Sequence, residues 1–212
     1  KLIAVLTLNL GVRKHRTNVK IMKKIILMAM AIFSVSVMNA QVADQIKQSR
    51  DRAAKLEALC KDYKTSGNAN IDGYGNDVKN AAVLAIANSE QLEDLYKREI
   101  GESADGVQDV TIKKPKLEEW ITLATTVAGE AASIKSATDK AKNAGEEAKN
   151  MAQAVNDAKN PMAKAKAAKA TKAATAVIEF GNAATPILIE ESAAQMKAVD
   201  EIIKTLKAGK NL

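Results

Sequence analysis

Between Leu117 and Val155 the chain carries two columns of uncharged residues at coiled-coil spacing. One holds Leu117, Ala124, Ala131, Thr138, Gly145 and Ala152; the other holds Trp120, Val127, Ile134, Ala141, Ala148 and Val155. Steps of three and four keep side chains on one face of an α-helix, and a seven-residue repeat keeps that face turned toward a partner helix. Neither column contains an ionised side chain, so one helix is expected over about 116–158. At a rise of 1.5 Å per residue this is a rod of roughly 65 Å. Such a rod gains most of its stability from packing, so it needs a second long helix beside it.

The second rod follows directly. Asn160-Pro161 disfavours continuation of the first helix, and proline fits the first turn of a new one. An αα-hairpin turn is therefore expected near Ala158–Pro161, with a kinked continuous helix as the alternative. The last helix is read as about 161–208, kinked near 181–186 where Gly181 and Pro186 fall. Beyond that point Ile189, Met196, Val199, Ile203 and Leu206 form its apolar stripe. Two shorter helices precede the hairpin. Over about 42–65, Val42, Ile46, Ala53, Leu56, Cys60 and Tyr63 share a face, and Gly67 marks a stop. Over about 76–100, Val78, Ala82, Ala85, Leu92 and Tyr96 do the same, with Asn76 as N-cap and Lys97 and Arg98 at the negative end of the helix dipole. Residues 101–115 read as a polar connector with a short extended piece at Val110–Ile112. The fold class is all-α: an elongated antiparallel helical hairpin or a four-helix bundle with coiled-coil-like, Ala-rich packing. The second half of the third helix faces the Ala-rich stretch Ala163–Ala176. Alanine lacks the methylenes that give a buried Leu or Ile roughly 1.5–3 kcal/mol, so this end should be the least stable.

Charge divides the chain in two. The net charge of +7 comes from 32 basic and 25 acidic residues. Lys1, Arg13, Lys14, Arg16, Lys20, Lys23 and Lys24 precede residue 41, with no acid among them. Residues 41–212 are therefore electroneutral, and the basic total is no argument for nucleic-acid binding. The leader has its own pattern: Met22-Lys23-Lys24, an uncharged apolar run from Ile25 to Met38, then Ala40 before Gln41. This resembles the secretory signal peptides of Gram-negative bacteria, which implies export to the periplasm or outside the cell with cleavage between Ala40 and Gln41. The run is shorter than the roughly 20 residues that span a bilayer. Residues 1–21 begin with Lys and precede a complete signal at Met22, so they read as a non-native upstream extension. Three parts result: 1–21, a signal peptide at 22–40, and a single helical domain at 41–212. Cys60 follows Leu56-Glu57-Ala58-Leu59, which is no lipoprotein signal.

The chemistry available is narrow. His15 is the sole histidine and lies in the leader. Histidine-based triads, Glu-x-x-His di-iron ligands and imidazole zinc sites are thereby excluded from the helical domain. Lys61 and Lys64 near Cys60 could lower its pKa, although a lone cysteine more often serves as a small apolar residue. The segment from Asn68 to Lys79 resembles an EF-hand calcium loop, with Asn68, Asn70, Asp72, Tyr74 and Asn76 at ligand positions and Gly73 at the sharp turn. Lys79 stands where a bidentate Glu belongs, and Asn, Asp and Gly suit turns on their own account. The adjacent pairs Glu118-Glu119, Glu146-Glu147 and Glu190-Glu191 point about 100° apart on a helix and read as solvated faces. Lys164, Lys166, Lys169 and Lys172 form a cationic patch without interleaved aromatics for base stacking. The expectation is a non-enzymatic, cofactor-free helical interaction or scaffold protein that binds an envelope or secreted protein, or itself. The alternative is an amphipathic protein of lipid or membrane surfaces.

Overall fold

The computed structural model describes residues 42–103, 106–210 and 212. The leader, its Ala40–Gln41 junction, residues 1–21 and His15 lie outside the described residues. Four helices account for most of the remainder: α1 over residues 42–61, α2 Ala69–Ile100, α3 Leu117–Asp157 and α4 Pro161–Lys207. The all-α class and the hairpin turn before Pro161 are both present.

The helices run up-down-up-down. Tyr63, just past α1, reaches Asn76 near the start of α2, while Ser49 meets Ser89 further along, so these two helices are antiparallel. Asn68 meets Glu147 and Arg98 meets Glu119, which orders α2 against α3 in the same sense. Thr171 Oγ1 donates to the Met151 carbonyl at 3.0 Å, closing the α3–α4 hairpin. Phe180 of α4 lies against Tyr63, and Glu191 against Ser49, so α4 returns antiparallel to α1. The parallel diagonal pair α2 and α4 also touch, at Gly181–Tyr74 and Gln195–Ala85.

Each helix turns a three–four column inward. In α2 the buried column is Ile71, Tyr74, Val78, Ala81, Ala85, Asn88, Leu92, Leu95 and Glu99. In α4 it runs without a break from Ala174 through Val177, Gly181, Ala184, Leu188, Glu191, Gln195, Ala198 and Ile202 to Thr205. In α3 it is Trp120, Leu123, Val127, Glu130, Ile134, Ala137 and Ala144. The expected Trp120 column is therefore the seam, but its companion starts at Leu123, not Leu117. Ala131 and Thr138 are exposed, and the seam contains an ionisable Glu130. In α4 the expected stripe is also rotated: Ile189 is 53% exposed and Leu188 takes the inward place.

Helix boundaries moved where side chains compete for the same backbone. Asn68, not Asn76, caps α2, accepting from the amides of Asn70 and Ile71. α1 stops at residue 61, before the turn in which Gly67 adopts φ 83°. The connector forms one bridge between Glu102 and Gln108, and Val110–Ile112 is a turn instead of an extended piece. α4 is not broken at Gly181 or Pro186. Gly181 instead lets α4 approach α2: a methyl there would overlap the ring and hydroxyl of Tyr74. Thus Gly181→Ala should destabilise the protein by about 1–3 kcal/mol through overpacking. A thermal melt checks this, and Tyr74→Leu in the same chain should recover part of the loss.

Candidate functional site

Two apolar clusters fill the bundle. One gathers Leu56, Tyr74, Val78, Ile134, Val177 and Leu188 among others; the second gathers Ile46, Leu92, Trp120, Leu123, Val127 and Ile202. Between them lies a polar layer to which every helix contributes. Glu191 of α4 is fully buried, and its carboxylate meets Arg52 Nε–H and the Ser49 hydroxyl of α1. Ser49 has one proton to give, so it donates to the carboxylate and accepts from the Ser89 hydroxyl, 2.8 Å away. Gln195 Nε2 donates to Glu191 at 2.6 Å and to the Ala85 carbonyl at 3.0 Å. Arg52 Nη1 reaches out to Glu190 at 3.2 Å. The Glu190-Glu191 pair is therefore split: Glu190 is solvated as expected, whereas Glu191 is not.

Glu130 of α3 completes the layer. It is fully buried, and Asn88 Nδ2 donates to one of its oxygens at 2.8 Å. The other oxygen has no hydrogen-bond partner, and neither do Gln195 Oε1 and Arg52 Nη2. Burial pushes the Glu130 carboxyl up to about 7, with the Glu191 charge adding to the rise and the Asn88 bond opposing it. A neutral Glu130 carries a proton it can donate, in a layer where Gln195 Oε1 is an acceptor without a partner.

This raised pKa has a definite sign. Below the ordinary carboxyl pKa, Glu130 is protonated folded and unfolded, and no penalty arises. As pH rises past 4.5 the unfolded chain releases its proton first, so stability falls until pH passes about 7. The shift corresponds to a loss of roughly 3 kcal/mol. Glu130→Gln should therefore raise the melting temperature at pH 8 and change it little at pH 4.5; equal effects at both would contradict the assignment.

The other sequence candidates separate. The calcium-loop reading is corrected: from Ala69 onward that segment is the first turns of α2. Asn68 is spent on the cap, and its Nδ2 ties α2 to Glu147. Asp72 accepts from the amides of Ser66 and Gly67 and from the Ser66 hydroxyl. Tyr74 is buried against Gly181, and Asn76 accepts from the Tyr63 hydroxyl at 2.9 Å. Asn70 alone borders an open hollow of about 490 Å³, opposite Glu146 and Glu147. These oxygens do not converge, and no cluster of three or more Asp, Glu, Cys or His suited to a metal occurs among the described residues. Cys60 is half-buried, and burial pushes its thiol up. The opposing cation is Lys79, whereas Lys61 is engaged with Glu57 at 3.1 Å.

An open groove of about 1100 Å³ lies between α1 with its following turn and α4. Leu59, Tyr63, Phe180 and Ile187 form its apolar floor, and Ala173, Ala176 and Ala183 its α4 wall. Lys55, Lys64, Lys169 and Lys172 rim it, with Asp62 and Glu179 between. Two lysines of the sequence patch thus stand at an apolar groove. Glu130 and Glu191 do not line it. Comparison with protein-family models, curated proteins and solved structures finds no match for this chain.

Beyond the groove the hairpin continues alone. Asn68, at the turn between α1 and α2, contacts α3 at Glu147 and Met151. The last turns of α3 and the first turns of α4 extend past that level. No residue from Gly145 through Ala173 is buried, and Met162 at the tip is 83% exposed. Past Met151, α3 continues to Asp157, and α4 starts at Pro161, ten residues before Thr171, so the arm projects roughly 10–15 Å. No helix of the described residues is long and apolar enough to cross a membrane.

Proposed function

We propose that this chain is an exported helical interaction protein that holds another envelope or secreted protein, or a second copy, without catalysing a reaction. The two-helix arm carries the reading. Its inner face is mostly alanine, and the side-chain bonds that hold it are few: Thr171 to the Met151 carbonyl and the Asn160 cap on the Ala163 amide. Contacts this small contribute little to folding. A segment of this length that adds so little stability has its use in what it touches outside the bundle. The polar layer is internal and closed off from the groove, which supports a structural role for its carboxylates. The signal-like leader supports export, and the mature protein isolated from cells should begin at Gln41 by mass spectrometry. An N-terminus upstream of Met22 would contradict that.

Shortening the hairpin tests the arm. Deleting residues 152–170 and joining the helices through a short glycine turn removes no buried side chain. The melting temperature should stay within a few degrees. A photo-crosslinker at Met162 in the full arm should give a discrete higher-mass adduct in cells, and hydrogen exchange over 148–172 should slow in that complex. Absence of any adduct, with exchange over 148–172 as slow in the isolated monomer as around Trp120, would overturn the reading.

A second reading, attachment to a lipid surface, is favoured by the lysine rim beside an apolar groove. Liposome flotation with anionic vesicles tests it.

A further inference from the structure

α2 turns a second column to solvent, tied to its own molecule only at its ends, where Asn76 accepts from Tyr63 and Asp94 meets Arg98. Asn76, Asn80, Val83, Ala87, Glu90 and Asp94 are all exposed, at steps of four, three, four, three and four. That is the spacing of a helix-facing column, here turned to solvent. Leu84 lies beside it, 36% exposed, and Val83 is 53% exposed. The column is apolar at Val83 and Ala87, and Glu90 follows; Asp94 beyond it is paired with Arg98 at 3.5 Å, and Lys97 and Arg98 stand in the last turn.

The α1–α4 groove is the complement of this column. α1 stops at residue 61 while α4 runs on past it, so the stretch of α4 near Lys169–Ala176 lacks a helix on that side. Its wall is alanine, which admits another helix at close axial distance. Lysines outnumber acids on its rim, and three of them, Lys64, Lys169 and Lys172, gather at the arm end. An apolar stripe followed by Glu90 fits an apolar trough with lysines at its end.

We infer that the groove between α1 and α4 receives the outer face of α2 from a second copy of this chain. This rests on the reading of the chain as an interaction protein and names one of its partners. Val83, Leu84 and Ala87 lie over Ala176, Phe180 and Ala183, and Glu90 and Asp94 lie toward Lys169 and Lys172. Stripe and groove are different surfaces of one molecule, so the contact is head-to-tail. Each added copy leaves one stripe and one groove free, and growth continues until a ring closes or a filament forms.

Sedimentation velocity on the protein as isolated from cells tests this. Its mean mass should rise with concentration over the micromolar range, and added salt should weaken the rise. Leu84→Glu disables the stripe and Lys172→Glu disables the groove, and both positions are exposed, so circular dichroism melts should be nearly unchanged. Each variant alone should lose self-association by at least about tenfold. An equimolar mixture of the two should form a dimer and nothing larger, because one intact groove meets one intact stripe. A chain that stays monomeric at every concentration overturns the inference, as does association that neither substitution affects. A monomer whose photo-crosslinker at Ala176 captures an acidic helix of a different protein also overturns it. Lys169 and Lys172 stand at the base of the arm, whereas a Met162 adduct reports on its tip, so that adduct without self-association would leave the broader interaction reading standing.

Discussion

The ion pair between Arg52 and Glu191 sits midway along the bundle, between two apolar clusters, and sets how the four helices align. The helices otherwise offer repeating three–four columns, and a column of Ala, Leu and Val can slide by seven residues at modest cost. A slide of α4 by one heptad would bring Glu191 against Leu or Ile and strand Arg52 among apolar groups. An uncompensated buried charge costs several kcal/mol, whereas a paired one is near break-even against apolar packing. The layer therefore adds little to stability and much to register. Ser49 and Gln195 satisfy the carboxylate once the pair is formed, and Ser89 braces the Ser49 hydroxyl.

Close approach of α2 and α4 is the second constraint, and it depends on the first. The register fixed at Glu191 places Gly181 opposite Tyr74 and Val177 opposite Gly75. At both crossings a Cβ on the glycine would collide with the facing side chain. The diagonal pair thus meets through glycine and ring at one end of the bundle, and through Gln195 and the Ala85 carbonyl at its middle. Pro186 lies exposed on the outer side of α4, where its missing amide faces solvent. This explains how the helix continues through a residue that would break a buried segment.

The sequence conveyed the helices and the period of their columns, but not always their phase. The inward faces of α1 and α2 were legible, because Ile46, Leu56, Val78 and Leu92 are apolar between polar neighbours and Val42 and Ala85 continue their three–four spacing. In α3 the phase was lost because the true column contains Glu130, and an all-uncharged alternative through Ala124, Ala131 and Thr138 lay beside it. The clue was size: Leu123 falls three residues after Trp120 and four before Val127, whereas the rejected column holds small residues. The same blindness hid Glu191, since an acidic pair looks solvated although its members diverge by about 100°. Asn68 and Asp72 misled for another reason. Oxygen-bearing side chains before a helix serve as calcium ligands or as caps, and only the backbone they meet decides between them.

A polar middle and an alanine-rich end impose a gradient along the molecule. Near Trp120 and Ile202 the core is made of large side chains and excludes water; at the polar layer its cohesion depends on satisfied hydrogen bonds; past Ala144 and Ala174 it ceases. Local opening follows the same order, because the free energy of opening scales with the apolar area a segment buries. The arm can therefore bend or dock without disturbing the layer that aligns the bundle. Because the arm opens independently of a fixed register, ordering it against any surface would cost conformational entropy but no rearrangement of the core.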